Sequence, residues 1–201
     1  GAGRESAPLY TVAQAQACLK QLRPVAYDQE VTPAKGIRCH FRDAGHILGS
    51  ASIEARISME SKARTLVFSG DLGQPGHPIV RDPAAIAEAD LLLVESTYGN
   101  RLHKGMAETL EELVFAITDT LGRKGGNLIV PAFSVGRTQD LLFLLADLTH
   151  QGRLPPLSVY VDSPMATAAT QITLRHRELF DPEAATTLRR FEKRNAGPRI
   201  N

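Results

Sequence analysis

The sequence predicts an α/β protein on three observations. Residues 37–41 and 53–57 alternate apolar with polar side chains at a period of two, the pattern of half-buried antiparallel strands. Two more apolar runs, 65–68 and 91–94, deliver an acid at or just beyond their ends, Asp71 and Glu95. Beyond Gly99, long helical stretches alternate with short apolar ones, the order that parallel α/β architecture produces.

Taken in order, the elements begin with a capping box. Thr11 followed by Gln14 predicts a helix over 10–22, with Ala15, Leu19 and Leu22 on one face and Pro24 ending it. The strands 37–41 and 53–57 follow, joined by a loop around 45–50 that holds Gly45 and Gly49. The strand 65–68 leads into Ser69-Gly70-Asp71, and the run Leu91-Leu92-Leu93-Val94 ends at Glu95. Helices are expected over 107–121, 138–148 and 165–179, with strands over 128–130 and 157–161 between them. The change of pattern places a domain boundary near 98–104, dividing the chain into 1–100 and 101–201.

Composition narrows the class. The 43% hydrophobic and 22% charged fractions are those of a globular chain, and no apolar run approaches the ~20 residues needed to cross a bilayer. A membrane protein is therefore not expected. A formal net charge of +1 gives the whole chain no electrostatic case for a nucleic-acid partner. The segment 172–201 is locally basic, and a solvated helix face accounts for it more readily than a phosphate surface does. The two cysteines, Cys18 and Cys39, form no closely spaced metal pair and suit a reducing cytoplasm.

The residues that could carry chemistry are few. His46 lies in Asp43-Ala44-Gly45-His46-Ile47-Leu48-Gly49-Ser50-Ala51, where flanking glycines let a loop aim an imidazole. Alone, such a histidine is more often a hydrogen-bonding group than a ligand. Asp71, in Ser-Gly-Asp-Leu-Gly, read alone is more often the cap of a turn. Together, a loop histidine and a carboxylate at a strand end suit part of a zinc site with a bridging oxygen ligand. Glu95 is either a third functional acid at a strand end or the cap of the following turn. Ser134 and Arg137, in Phe133-Ser134-Val135-Gly136-Arg137, stand where a helix N-terminus could receive a phosphate. The competing reading makes this a tight turn in which Arg137 pairs with an acid such as Asp140. Asp162 and Ser163 read first as the cap before Pro164. His40, His77, His103, His150 and His176 show no ligand spacing and are assigned surface or structural roles.

The order of these strings resembles a known family. Asp43 to Ala51, Ser69-Gly70-Asp71, Val94-Glu95-Ser96-Thr97-Tyr98-Gly99, Val130-Pro131-Ala132-Phe133-Ser134-Val135-Gly136-Arg137-Thr138-Gln139 and Val161-Asp162-Ser163-Pro164-Met165-Ala166 follow one another as in β-CASP ribonucleases. The resemblance covers about residues 9–179. It implies part of a metallo-β-lactamase αββα sandwich in 1–100, followed by part of a parallel-sheet β-CASP domain in 101–201. It implies a zinc-dependent hydrolase that cleaves RNA, with two zinc ions in the parent protein. His46 matches a histidine that ligates one zinc, Asp71 the aspartate that bridges both, and Glu95 the acidic residue implicated in catalysis. The family's H-x-H-x-D-H motif would precede Leu9 and its later histidine motifs would follow the C-terminus, so an internal fragment with an incomplete site is expected. A non-catalytic RNA-binding subunit and a small-molecule metallohydrolase are the competing readings. An exposed sheet edge in such a fragment could also pair two copies into a homodimer.

Overall fold

The computed structural model describes residues 8–60, 62–194 and 199–200. Helix α1 (Val12–Leu19) is shorter than expected but starts at the expected capping box, with Thr11 and Gln14 each accepting the other's backbone N–H. Five strands then form one sheet: β1 (Val31–Ala34), β2 (Ile37–Asp43), β3 (Ala51–Ser58), β4 (Ala63–Phe68) and β5 (Leu91–Leu93), in sequence order. The first four are antiparallel, and β5 lies parallel to β4.

The alternation read in the sequence sets the register. Ile37, Cys39 and Phe41 oppose Ile57, Ala55 and Ile53, so the apolar residues of β2 and β3 share one face. The other face is polar, and there Arg42 hydrogen-bonds the Glu54 carboxylate at 3.0 Å and also pairs with Asp28. The β4–β5 step is pinned by Asp90, which bonds the Thr65 N–H through its carboxylate and the Thr65 carbonyl through its own N–H, both at 2.8 Å.

The second half is mainly helical. Helix α2 (Met106–Thr118) presents Leu110, Leu113, Val114 and Ile117 on one face. They pack with Leu141, Leu145 and Leu148 of α3 (Arg137–His150) and with Leu154 and Leu157. Helix α2 was expected to run on to Leu121. It widens instead into a π-helical turn over Asp119–Arg123, before Gly125 takes a positive φ of 64°. A second apolar cluster, Ile79, Phe180 and Ala184 with Leu48 and Phe143, joins the first half to α3 and to α5 (Pro182–Arg194). Helix α4 (Pro164–Arg175) starts at the Ser163 cap and gives way to a 3₁₀ turn, Arg177–Leu179, where a continuous helix was expected.

One expected strand is not formed. Residues 128–130 pair with no other strand among the described residues, and Ile129 is 89% exposed. A β-strand exists only through a hydrogen-bonded neighbour, and apolar composition alone cannot supply one. The expected strand 157–161 is reduced to β6 (Ser158–Val159), which pairs in parallel with β7 (Arg199–Ile200). Parallel pairing in the second half is thus real but short.

What fixes the site is a contact of backbone on backbone. The segment after β4 passes so close to the β2–β3 loop that a Cβ on Gly73 would lie 1.7 Å from the Gly45 carbonyl oxygen. The Gly73 N–H donates to the Ala44 carbonyl at 2.8 Å, and Ala44 is wholly buried. We therefore expect Gly73→Ala to cost about 3 kcal/mol of stability in denaturant unfolding, because neither backbone can give way. Gly49 has a positive φ of 87° but open space around it, so Gly49→Ala should cost only about 1 kcal/mol. Similar losses for the two variants would contradict the interlock.

Candidate active site

His46 sits on a loop that is heavily restrained although its side chain is exposed. The Gly45 N–H donates to the Asp43 carboxylate at 2.9 Å, and the His46 and Ile47 N–H groups both donate to Ser50 Oγ, at 3.1 and 3.2 Å. The Tyr27 hydroxyl donates to the Ser50 carbonyl at 2.8 Å. Local turn chemistry thus shapes the loop, and the Gly45–Gly73 contact seats it.

Asp71 follows β4 through Ser69 and Gly70 and is exposed. Ser69 and Ser52 are buried and splice three strand ends together. Ser52 Oγ donates to the Ser69 carbonyl at 2.7 Å, the Ser69 N–H donates to the Leu93 carbonyl at 2.9 Å, and the Glu95 N–H donates to Ser69 Oγ at 3.0 Å. The ends of β3, β4 and β5 therefore meet where Asp71 and Glu95 leave the sheet. Sequence reading missed Ser50, Ser52 and Ser69, although all three stand inside or beside the strings that drew attention to His46 and Asp71.

The Glu95 carboxylate spends its oxygens on backbone. One accepts the Leu72 N–H at 2.8 Å and the other the Thr97 N–H at 3.4 Å. The Thr97 hydroxyl, then the Leu72 N–H, hold its pKa below the ordinary glutamate value of 4.5, and the nearby His46 adds a smaller pull in the same direction. Glu95 thus grips the residue immediately after Asp71 and also serves the following turn; of its two sequence readings, the capping one has a visible counterpart.

The helical half reaches the same place. Gly136, with φ of 80°, packs so tightly that a Cβ would lie 2.8 Å from Ile47 Cγ2, which sets the start of α3 on the His46 loop. Gln139 is buried: its Oε1 accepts the Gly136 N–H at 2.8 Å, while Nε2 donates to the Ser134 carbonyl at 3.1 Å and to Thr170 Oγ1 at 2.9 Å. Ser134 Oγ lies 3.3 Å from Ser163 Oγ, and Ser163 caps α4 through the Ala166 N–H, as its sequence position suggested. Arg137 is exposed.

One reading of this region needs correction. Asp140 pairs with His77 at 3.1 Å, in place of the Arg137 partnership considered from sequence. His77 itself is half-buried in the wall of a cleft of about 390 Å³, whose lining includes His46, Gly136, Asp140 and His176. No spacing rule could have joined His77 to Asp140, since they come from opposite halves of the chain.

The donor types of His46 and Asp71, an imidazole nitrogen and a carboxylate oxygen, fit zinc. Among the described residues, no three His, Cys, Asp or Glu side chains gather as a metal-holding group. The arrangement is therefore two donors on interlocked loops, short of the four a closed site takes.

The Glu95 bonds carry a pH signature. Its folded pKa is depressed, so its contribution is present above about pH 4.5 and is lost as pH falls through the folded value. The stability difference between wild type and Glu95→Gln should be largest near neutrality and shrink in acid, with faster amide exchange at Leu72 in the variant. A pH-independent difference in unfolding would contradict this assignment.

Residues 138–198 match the Beta-Casp domain. The chain is 36% identical over 176 residues to Ribonuclease TTHA0252 of Thermus thermophilus, covering 88% of this chain and 39% of that protein. It is 31% identical over 156 residues to an RNase J-like protein of Methanocaldococcus jannaschii, covering 76% of this chain and 36% of that protein. It is 27% identical over 160 residues to Cleavage and polyadenylation specificity factor 73 of Drosophila melanogaster, covering 79% of this chain and 22% of that protein. The chain thus spans well under half the length of these relatives. With the motif strings in order, the interlocked loops at the strand ends and the helical half seated on them, the chain belongs to the β-CASP family of the metallo-β-lactamase superfamily.

Proposed function

We propose that this chain is part of a zinc-dependent hydrolase that cleaves RNA phosphodiester bonds, and that residues 1–100 and 101–201 are segments of its metallo-β-lactamase and β-CASP domains. The observation that carries the reading is the backbone interlock of Gly73 on Gly45, which brings the loop of His46 and the loop of Asp71 together at one end of the sheet. The ribonuclease names of the relatives supply the substrate class.

In this reading His46 would supply a nitrogen ligand and Asp71 a carboxylate ligand to zinc. Zinc bound there would act as a Lewis acid, offsetting negative charge that develops on the phosphodiester. Glu95 holds the Leu72 N–H and so the direction in which Asp71 leaves its strand. Ser134 and Arg137, at the start of α3, face RNA phosphate. The remaining ligands come from parts of the protein outside these 201 residues. Location in the cytoplasm accords with two free cysteines, and among the described residues no helix is long and apolar enough to cross a membrane.

Two experiments test this. Asp71→Ala in the full-length protein should abolish RNA cleavage while leaving thermal unfolding close to wild type; cleavage at the wild-type rate would remove the metal assignment. The 201-residue chain alone should bind zinc weakly, since His46 and Asp71 leave a tetrahedral ion two ligands short. Tight, stoichiometric zinc in metal analysis of that chain would show that its ligand set is larger than these two.

A further inference from the structure

The seam between the two halves holds a polar pair that the proposed chemistry leaves unused. His77 Nε2 lies 3.1 Å from Asp140 Oδ2, across the cleft that His46 also lines. Asp140 is buried in the first turn of α3, where a carboxylate also complements the helix dipole. A carboxylate oxygen accepts, so Nε2–H donates, and Nδ1, whether it carries a lone pair or a proton, must find its own partner. That second nitrogen is buried with no hydrogen-bond partner in the structure. Burying an unsatisfied nitrogen is costly, and an apolar side chain of similar size would avoid the cost. Packing alone therefore does not account for an imidazole at this position.

What the pair joins is more telling. His77 belongs to the segment that runs on from Asp71 and Gly73, and Asp140 to the helix whose Gly136 rests on Ile47, beside His46. Elsewhere along the seam, Arg81 donates to the Glu178 carbonyl at 2.6 Å, and the Asp181 N–H donates to the Ile79 carbonyl at 2.9 Å. Those bonds hold the 3₁₀ turn and the start of α5. The His77–Asp140 pair ties the same segment to the first turn of α3, which Arg137 begins and Ser134 precedes.

We propose that His77, held by Asp140, is a positioning residue that fixes α3 against the segment leading on from Asp71, and so sets how RNA is received at the start of that helix. This rests on the ribonuclease reading above.

The test uses the full-length protein, first stripped of metal with EDTA and titrated with a fluorescent single-stranded RNA, then reloaded for cleavage kinetics. His77→Leu should weaken RNA binding and raise KM about tenfold, the loss expected for one hydrogen bond to a charged group. Its kcat should stay within about twofold, because the interaction serves binding and not the chemical step. His77→Gln places an amide N–H where Nε2 stood and should restore binding. Combining His77→Leu with Asp140→Ala should be no worse than the worse single change, since both remove one interaction. Unchanged RNA binding in a folded His77→Leu protein, equal losses in the Gln and Leu variants, or effects that multiply would each overturn the proposal. Should His77→Leu not fold, Asp140→Asn decides: it keeps an acceptor oxygen and should bind RNA nearly as wild type does, and a tenfold loss would count against the proposal. A wild-type protein that neither binds nor cleaves RNA would overturn the ribonuclease reading instead.

Discussion

The approach of Gly73 to Gly45 is the constraint on which the rest of the site depends. Two backbones meet there with no room for a single carbon between them. The hydrogen bond from the Gly73 N–H to the carbonyl of the wholly buried Ala44 closes the contact, and leaving that carbonyl unpaired would be costly. Because the contact is made by main chain, the side chains of His46 and Asp71 stay free and exposed while their loops are held. If the two ligate zinc, as proposed, rigid backbone with available side chains is the combination such a site needs.

The polar groups around the interlock extend its reach. Ser50 gathers the N–H groups of the His46 loop, Ser52 and Ser69 bind strand ends together, and Glu95 reaches back to the residue after Asp71. Each bond satisfies a backbone group that a tight loop would otherwise leave unpaired. Through Ile47 and Gly136 the same loop becomes the footing of α3, so the helical half is built directly on the His46 loop. The apolar cluster of Ile79, Phe180 and Ala184 and the grip of Arg81 on the 178–180 carbonyls secure the far side of that seam. A displacement of the 70–82 segment would therefore be felt at both walls of the cleft.

Much of this was legible in one dimension where the cause is local. Period-two alternation in 37–41 and 53–57 predicted two antiparallel strands, and the observed register follows from it, because a one-residue slip would turn Ile37, Cys39 and Phe41 away from the apolar face. Capping chemistry located the starts of α1 and α4. Reading failed where the cause is a distant partner. The run 128–130 has the composition of a strand but no neighbour among the described residues, and α2 and α4 stop short of their apolar periodicity where a π-helical turn and a 3₁₀ turn take over. His77 looked incidental because nothing in its own surroundings names Asp140 as its partner.

By itself, the sequence determined the α/β class, the ordered strings that mark the family, and His46, Asp71 and Glu95 as the residues to watch. Those conclusions follow from propensity, period and residue chemistry, which act over a few positions. Only the tertiary structure decided that the two loops interlock through glycine, that Glu95 bonds the backbone beside Asp71, and that His77 meets Asp140 across the cleft. These are contacts between segments far apart in the chain, and they arise only when the closing of the sheet and the seating of α3 bring those backbones within hydrogen-bonding distance.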